Sequence, residues 1–244
     1  MDLFFAACAV LPATGCGPAD REAPPVRVFA AASLTVPITR IARAFEAAHP
    51  GARVELHLAG SAHLALQLRE GARADVFASA DEPNMHKVAE LGLTAGPHAV
   101  LATNRLAVVV PAGNPRALRG IADLAREDLR VALCGPEVPA GRYARVALGR
   151  AGVVVRSRSD ESNVKALVAK VLLGELDACI AFATDARSPG LEAIALDPAH
   201  DVVATYPIAL LDCGGNGTGG RDFIAFACGP GGRDILQQEG FVLP

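Results

Sequence analysis

The sequence predicts an α/β fold made of two lobes that are joined by two strand-like crossings. From Val26 onward, short aliphatic runs alternate with stretches of helical periodicity. Strands that alternate with helices are typical of a largely parallel sheet covered by helices on both faces. The 244 residues, 51% of them hydrophobic, are enough to bury one large core or two modest ones. A single larger sheet is the alternative arrangement.

The first half of the chain predicts three strands, each followed by a helix. The predicted strands are VRVFAAA, RVELHLA and ADVFASA, and the predicted helices are TVPITRIARAFEAAH, AHLALQLREG and EPNMHKVAELG. RVELHLA alternates in polarity, as a half-buried strand does. The second helix closes at Gly71, a residue common just past helix ends.

The second half repeats the pattern. The predicted strands are RLAVVV, RVALCG, DACIAFA and VATYPIALL, and the predicted helices are AGRYARVALGRAG, ESNVKALVAKVLLGE and GRDILQQEG. The crossings between the lobes are expected near LAVVV and YPIALL. The segment GGNGTGG has neither the lysine nor the spacing of a phosphate-binding loop and is interpreted as a turn.

Charge and hydropathy exclude two classes of protein. A net charge of −3 argues against a nucleic-acid surface, which needs a concentrated basic face. No apolar stretch reaches the ~20 residues that span a bilayer. Residues 1–25 resemble an export signal with a linker, and Cys16 is a candidate for lipid attachment. We therefore expect a periplasmic protein, or one on the outer face of the membrane, although a disordered tail is the simpler reading of this segment.

The cysteines give no metal or redox motif, because none forms a C-x-x-C pair. Cys134 and Cys179 lie in strand-like runs and are expected to be buried thiols. Cys213 and Cys228 flank the glycine-rich segment, and a disulfide between them is an open alternative that the sequence alone does not decide.

Candidate binding residues lie where predicted strands give way to helices: Ser33, Ser61, Ala140 and Val164. The start of a helix has unpaired N–H groups and a partial positive charge, so several starts together bind an anion without lysine or arginine. In open α/β sheets, ligands bind at the carboxyl ends of the strands, where these junctions lie. A serine at a helix start is also a common cap. The small residues of AAAS, AGS and VPAG, however, permit a close backbone approach that a cap does not require.

An enzyme is not supported by the motifs. No G-x-S-x-G elbow surrounds Ser33 or Ser61, so a serine hydrolase lacks its context. His63 is expected to be an exposed helix residue. Asp75 and Asp81 would repel an anion and are expected to serve as caps or as contacts between the lobes. The pattern favours binding without catalysis or a cofactor.

The segments FAAASL, GARADVFASAD, PEVPAGRYA, NVKAL, TDA and EGFVLP occur in this order between Val26 and Pro244. Together they resemble the periplasmic molybdate-binding proteins of ABC importers. The resemblance implies a type II periplasmic-binding fold whose cleft holds molybdate or tungstate. It also implies permease and ATPase subunits as partners, and we expect a monomer. The expected lobes are residues 26–105 with 209–244, and residues 106–208.

The resemblance implies a role for each candidate residue. Ser33 and Ser61 would donate hydroxyl and backbone N–H groups, and Ala140 and Val164 would donate backbone N–H groups. Phe182 stands where many members have a tyrosine, and its ring cannot donate. An unreplaced hydrogen bond to a charged ligand costs roughly 1.5–3 kcal/mol.

Three consequences of Phe182 stay open: a replacement donor or water, a lower affinity, or selectivity for another small oxyanion. Thr184 and Tyr143 are candidate replacements because they lie nearby in sequence. The same fold also serves as the effector-sensing domain of transcription regulators. That alternative requires a helix-turn-helix before the lobes, where this sequence has the export-like segment.

Overall fold

The computed structural model describes residues 23–244. The export-like segment, including Cys8 and Cys16, lies outside the described residues apart from its last three positions. The strands are β1 (Val26–Ala31), β2 (Val54–Ala59), β3 (Val76–Ala78), β4 (Ala99–Pro111), β5 (Val131–Cys134), β6 (Asp160–Glu161), β7 (Ala178–Phe182), β8 (Leu191–Ala195) and β9 (Val203–Leu210). The helices are α1 (Thr35–Ala48), α2 (Ser61–Arg69), α3 (Glu82–Glu90), α4 (Pro139–Ala151), α5 (Val164–Leu172), α6 (Gly217–Cys228) and α7 (Pro230–Gln238). Short 3₁₀ turns span Ala32–Leu34, Ile121–Ala125 and Ala183–Arg187.

The strands form a mixed sheet in the order β2-β1-β3-β9-β4-β7-β5-β6, with β8 paired to β4. The pairs β1–β2, β1–β3, β5–β6 and β5–β7 are parallel. The central strands β9 and β4 run antiparallel to their neighbours. Each end of the sheet is therefore a parallel α/β unit, as the strand–helix alternation predicted.

Two strands connect these units into a two-lobed molecule. The first half of β4, up to Arg105, pairs with β9. From Leu106 onward the same strand pairs with β7, opposite Phe182. Strand β9 in turn pairs with β3 at Ile208–Leu210 of the first lobe. The crossings thus lie in the two segments predicted for them, and the residue bounds of the two lobes stay a prediction.

The interpretation of GGNGTGG as a turn is wrong in its second half, because α6 begins at Gly217. The Asn216 side chain caps this helix by accepting from the Gly219 N–H at 2.9 Å. The Asp75 carboxylate accepts from the N–H groups of Gly215 and Asn216 at 2.8 and 2.6 Å. These bonds to a distant strand end hold a glycine-rich segment in a helical start despite its low propensity.

The cysteines are free thiols throughout residues 23–244. Cys134 and Cys179 are buried in the core, as predicted, and burial raises the pKa of Cys134 to about 12. Cys213 and Cys228 are half-buried and unbridged, so the disulfide considered for them is not formed.

Candidate functional site: a cavity at four helix starts

The five predicted site residues line one cavity between the lobes. Its walls are Ala31, Ala32, Ser33, Gly60, Ser61, Ala80, Val138, Pro139, Ala140, Asn163, Val164 and Phe182. The space within these walls, including the part open to solvent, is about 220 Å³. This is below the roughly 300–1,000 Å³ of pockets for drug-sized molecules, so the cavity suits a small ligand.

Lobe 1 contributes the starts of α1 and α2. Ser33 lies in the 3₁₀ turn between β1 and α1 and is 5% exposed. Ser61 is the first residue of α2, after Gly60, and is 1% exposed. The Ser61 hydroxyl oxygen accepts from the Ala80 N–H at 3.0 Å. A hydroxyl group has one hydrogen to donate, and this contact leaves the Ser61 hydrogen free for a ligand.

Lobe 2 contributes the starts of α4 and α5. Helix α4 begins at Pro139, which has no N–H, so the first free donor of this helix belongs to Ala140. Asn163 caps α5 by accepting from the Ala166 N–H at 2.9 Å. The cap leaves the N–H of Val164, the first residue of α5, without an intrahelical acceptor. Both helices therefore present backbone donors at the cavity.

Glycine permits the close approach of the lobes at the cavity. A Cβ atom on Gly60 would lie 2.8 Å from the carbonyl oxygen of Ser162, across the cleft. A Cβ atom on Gly141 would lie 2.2 Å from the carbonyl oxygen of Gly135 at the end of β5. The α2 start and the α4 start thus have no room for side chains at these positions.

The cavity wall is uncharged. Among residues 23–244, the side chains that line it include no lysine, arginine, histidine, aspartate or glutamate. Lys165, beside Val164, forms an ion pair with the buried Asp185, with 2.9 Å between Nζ and Oδ1. Burial raises the pKa of Asp185, and Lys165 opposes that rise. The positive potential at the cavity therefore comes from helix starts and not from cationic side chains.

An ion pair joins the lobes beside the cavity. Arg142 of α4 contacts Asp81, which caps α3 by accepting from the Asn84 N–H at 3.1 Å. Asp81 is fully buried; burial raises its pKa, and the Arg142 guanidinium opposes the rise. Asp81 is thus both a cap and a lobe contact, as predicted, and Asp75 holds the start of α6.

The candidate replacements for the missing tyrosine hydroxyl do not line the cavity. The Tyr143 ring lies 6.4 Å from the Phe182 ring, and its hydroxyl interacts with the Thr205 backbone. The Thr184 hydroxyl accepts from Asn104 at 2.8 Å. His63 is exposed, as expected. Sequence reasoning missed Gly60 and Asn163 as wall residues, although an asparagine before an apolar helix is a recognisable cap signal.

The arrangement offers hydrogen-bond donors to a ligand. Hydroxyl and backbone N–H groups converge on the cavity, and such a donor set recognises anions. No group of three or more His, Cys, Asp or Glu residues that could hold a metal occurs in the described part of the chain. Between residues 23 and 244, no helix has both the length and the apolar character to cross a bilayer.

Comparison with known proteins identifies relatives over nearly the whole chain. Residues 26–242 match the family described as bacterial extracellular solute-binding protein. The molybdate-binding protein ModA of Mycobacterium tuberculosis is 41% identical over 219 residues, which are 89% of this chain and 84% of the relative. These relatives are named as binding proteins and not as enzymes.

Two solved structures share the fold. The periplasmic molybdate-binding protein of Azotobacter vinelandii superposes with a TM-score of 0.79 at 19% identity, covering 90% of this chain and 99% of that one. The sulfate-binding protein SubI of M. tuberculosis gives the same TM-score at 18% identity, covering 88% and 85%. The fold is therefore that of type II periplasmic binding proteins, and it does not by itself select the anion. From the match over residues 26–242 and the 41% identity, the chain belongs to the bacterial extracellular solute-binding protein family.

Proposed function

We propose that this protein captures molybdate, and with it tungstate, in the cavity between its lobes and delivers the ion to an ABC importer. The observation that carries the proposal is the convergence of Ser33, Ser61, Ala140 and Val164 on one uncharged cavity. A doubly charged ion leaves water only where fixed dipoles and hydrogen bonds replace its hydration. The 41% identity to a molybdate-binding protein supports molybdate as the ion.

The donor set predicts selectivity by size and by protonation. Molybdate and tungstate are alike in size and charge, so we expect the cavity to bind both equally. Sulfate is smaller, and some donors would be left too distant to bond. Protonated phosphate carries an O–H group that a donor-only cavity cannot accept, and unpaired polar groups can discriminate strongly.

Calorimetric titration of the purified protein with molybdate, tungstate, sulfate and phosphate tests the proposal. We expect tight binding of the first two ions and weak or no binding of the others. Equal affinities for sulfate and molybdate would contradict selection by size. Elemental analysis of protein purified from medium containing both metals would identify the ion that is retained.

A second candidate is another small oxyanion, and the observation that favours it is Phe182. This side chain is 1% exposed and forms part of the wall, where its ring offers no donor. We expect Phe182→Tyr to bind molybdate about tenfold more tightly, because the variant regains a hydrogen bond to a charged ligand. Measured in the same titration, unchanged molybdate binding together with a preference for another anion would favour the second candidate.

The partners and the location follow from the same proposal. A permease and an ATPase subunit would recognise the protein after the lobes have closed on the ion, and the protein would act as a monomer. It would work outside the cytoplasmic membrane, in agreement with an extracellular family. Labelling of the exported protein with radioactive palmitate, compared with a Cys16→Ser variant, tests lipid attachment.

A further inference from the structure

Two buried hydroxyl groups beside the cavity have no hydrogen-bond partner among residues 23–244. They belong to Ser33, in the cavity wall, and to Tyr206, on the crossing strand β9. Tyr206 is fully buried, and its ring packs against Phe182 at 5.6 Å between ring centres. A buried hydroxyl without a hydrogen-bond partner destabilises a folded protein, so a pair of them beside a binding cavity indicates a role when the cavity is occupied.

Ser33 and Asn104 are the polar neighbours of the Tyr206 hydroxyl. Burial raises the pKa of Tyr206 well above its usual value, and these two neighbours partly oppose the rise. The Tyr206 hydroxyl therefore stays protonated and remains a donor. Neither neighbour satisfies the geometry of a formed hydrogen bond to it in this state.

Asn104 is already engaged elsewhere. Its side-chain amide donates to the Thr184 hydroxyl at 2.8 Å, and its carbonyl oxygen accepts from the Arg105 N–H at 2.9 Å. Ser33 has no such commitments. The Asn104 oxygen has one of its two lone pairs taken by the Arg105 N–H, whereas both lone pairs of the Ser33 oxygen are free. Ser33 is therefore the less engaged of the two acceptors for the Tyr206 hydroxyl.

We propose that Tyr206 is a positioning residue for the anion: its hydroxyl donates to the Ser33 oxygen, so that the Ser33 hydrogen points at the bound oxyanion. This role rests on the proposed function. A chain of two hydroxyl groups has one hydrogen left over, and the uncharged wall provides no carboxylate to take it. An oxyanion in the cavity supplies that acceptor.

The two successive hydrogen bonds, from Tyr206 to Ser33 and from Ser33 to the anion, form a relay. This relay offers a replacement for the tyrosine hydroxyl that is absent at position 182. Hydrogen bonds in a chain polarise one another, so the Ser33 hydroxyl becomes a stronger donor when Tyr206 donates to it. The compensation then comes from β9, the crossing strand, through a residue that already contacts the ligand. It does not come from Tyr143 or Thr184, because neither residue lines the cavity.

The test is a double-mutant cycle on molybdate binding, measured by calorimetry. Tyr206→Phe is expected to weaken binding about 3- to 10-fold in the wild-type background. In the Ser33→Ala background the same change is expected to have less than about a twofold effect, since the relay is already broken. Without ligand, Tyr206→Phe is expected to unfold at the same temperature as wild type or higher, because the lost hydroxyl had no partner.

The matched control is Tyr143→Phe, since the chain has two tyrosines and no tryptophan. Molybdate is expected to change the near-ultraviolet difference spectrum of wild type and of Tyr143→Phe, but not that of Tyr206→Phe. Equal molybdate affinity of Tyr206→Phe and wild type would overturn the relay while leaving the proposed function intact. An equal loss from Tyr206→Phe with or without the Ser33 hydroxyl would also overturn it. Failure of wild type to bind molybdate would overturn both proposals.

Discussion

Ser33 and Ser61 occupy equivalent places at two helix starts, yet their hydroxyl groups are in different states. The Ser61 oxygen already accepts from the Ala80 N–H, which fixes its orientation. The Ser33 oxygen has no formed hydrogen bond. A preoriented donor binds a ligand with little further ordering, so Ser61 is expected to contribute the more firmly fixed of the two hydroxyl contacts.

Ser61→Ala is expected to weaken molybdate binding about 10- to 100-fold, since a hydrogen bond to a charged ligand is lost. Isothermal titration measures the change. Ser157→Ala is the matched control, because the Ser157 oxygen also accepts from a backbone N–H, that of Leu133 at 3.0 Å, but does not line the cavity. Similar losses of affinity in both variants would show that the Ser61 effect is structural.

Thiol reactivity is a second property set by single residues. Burial raises the pKa of Cys134 to about 12, so its reactive thiolate form is negligible at neutral pH. We expect a maleimide to leave Cys134 and Cys179 unmodified in the folded protein and to modify both after unfolding. Peptide mass spectrometry gives the extent of maleimide modification at each cysteine, with the half-buried Cys213 as the internal comparison. Rapid labelling of Cys134 in the folded protein would contradict the packing described here.

At the scale of the element, the starts of α3, α5 and α6 are held by side chains outside those helices. Asn163 caps α5 and Asp81 caps α3, in both cases by accepting from a first-turn N–H. Helix α6 depends on Asp75, which directly precedes β3 and accepts from Gly215 and Asn216. A helix of low intrinsic propensity is thereby stabilised through tertiary contacts.

Gly214→Ala is expected to destabilise the protein by about 1–3 kcal/mol, the usual cost of overpacking. Its Cβ atom would lie 2.0 Å from an oxygen of the Asp75 carboxylate that holds the start of α6. Gly215→Ala is the matched control, since a Cβ atom there meets nothing within 4 Å. Urea denaturation compares the two variants, and equal stabilities would contradict the role given to Asp75.

The same elements show what local sequence can predict. Strongly periodic segments such as α1 and α4 were predicted within one residue at each end, because amphipathic spacing and small-residue starts are local signals. Helix α6 was not predicted at all, because its start is rich in glycine and the carboxylate that stabilises it is 140 residues away from Gly215 in sequence. The first half of β4 was missed because its pairing with β9 outweighs a weak β pattern.

The candidate site was predictable to a similar extent. Ser33, Ser61, Ala140 and Val164 lie at strand–helix junctions, and a parallel α/β order brings such junctions together. Tyr206 lies in the middle of a strand, and no local pattern distinguishes it from a core tyrosine. Its relation to Ser33 depends on how β9 crosses beneath the cavity, which is set by tertiary packing.

At the scale of the whole molecule, ion pairs bridge the two lobes around the cavity. Arg142 of α4 contacts the buried Asp81, and Lys87 of α3 contacts Glu137 at 3.1 Å. The second pair is exposed, with half or more of each side chain in solvent. Buried and exposed ion pairs differ in their contribution to stability, because breaking a buried pair leaves an uncompensated charge in the interior.

Arg142→Gln is expected to weaken molybdate binding about tenfold or more, since lobe closure would bury the Asp81 carboxylate without its guanidinium. Lys87→Gln, which removes the exposed bridge between the same lobes, is expected to change the affinity less than about threefold. Titration calorimetry compares the affinities, and small-angle scattering with and without molybdate follows closure. Equal effects of the two substitutions would rule out a specific contribution of the Asp81 contact.

The uncharged wall of the cavity has a consequence for the surroundings in which the protein works. Ionic screening weakens attraction between separated charges. A site built on lysine or arginine therefore binds an anion less tightly as the salt concentration rises. In the proposed function, a chain of net charge −3 holds a dianion by short contacts with uncharged donors. The residence time of the ion should therefore be set by how often the two lobes open. It should be the same at low and at high ionic strength.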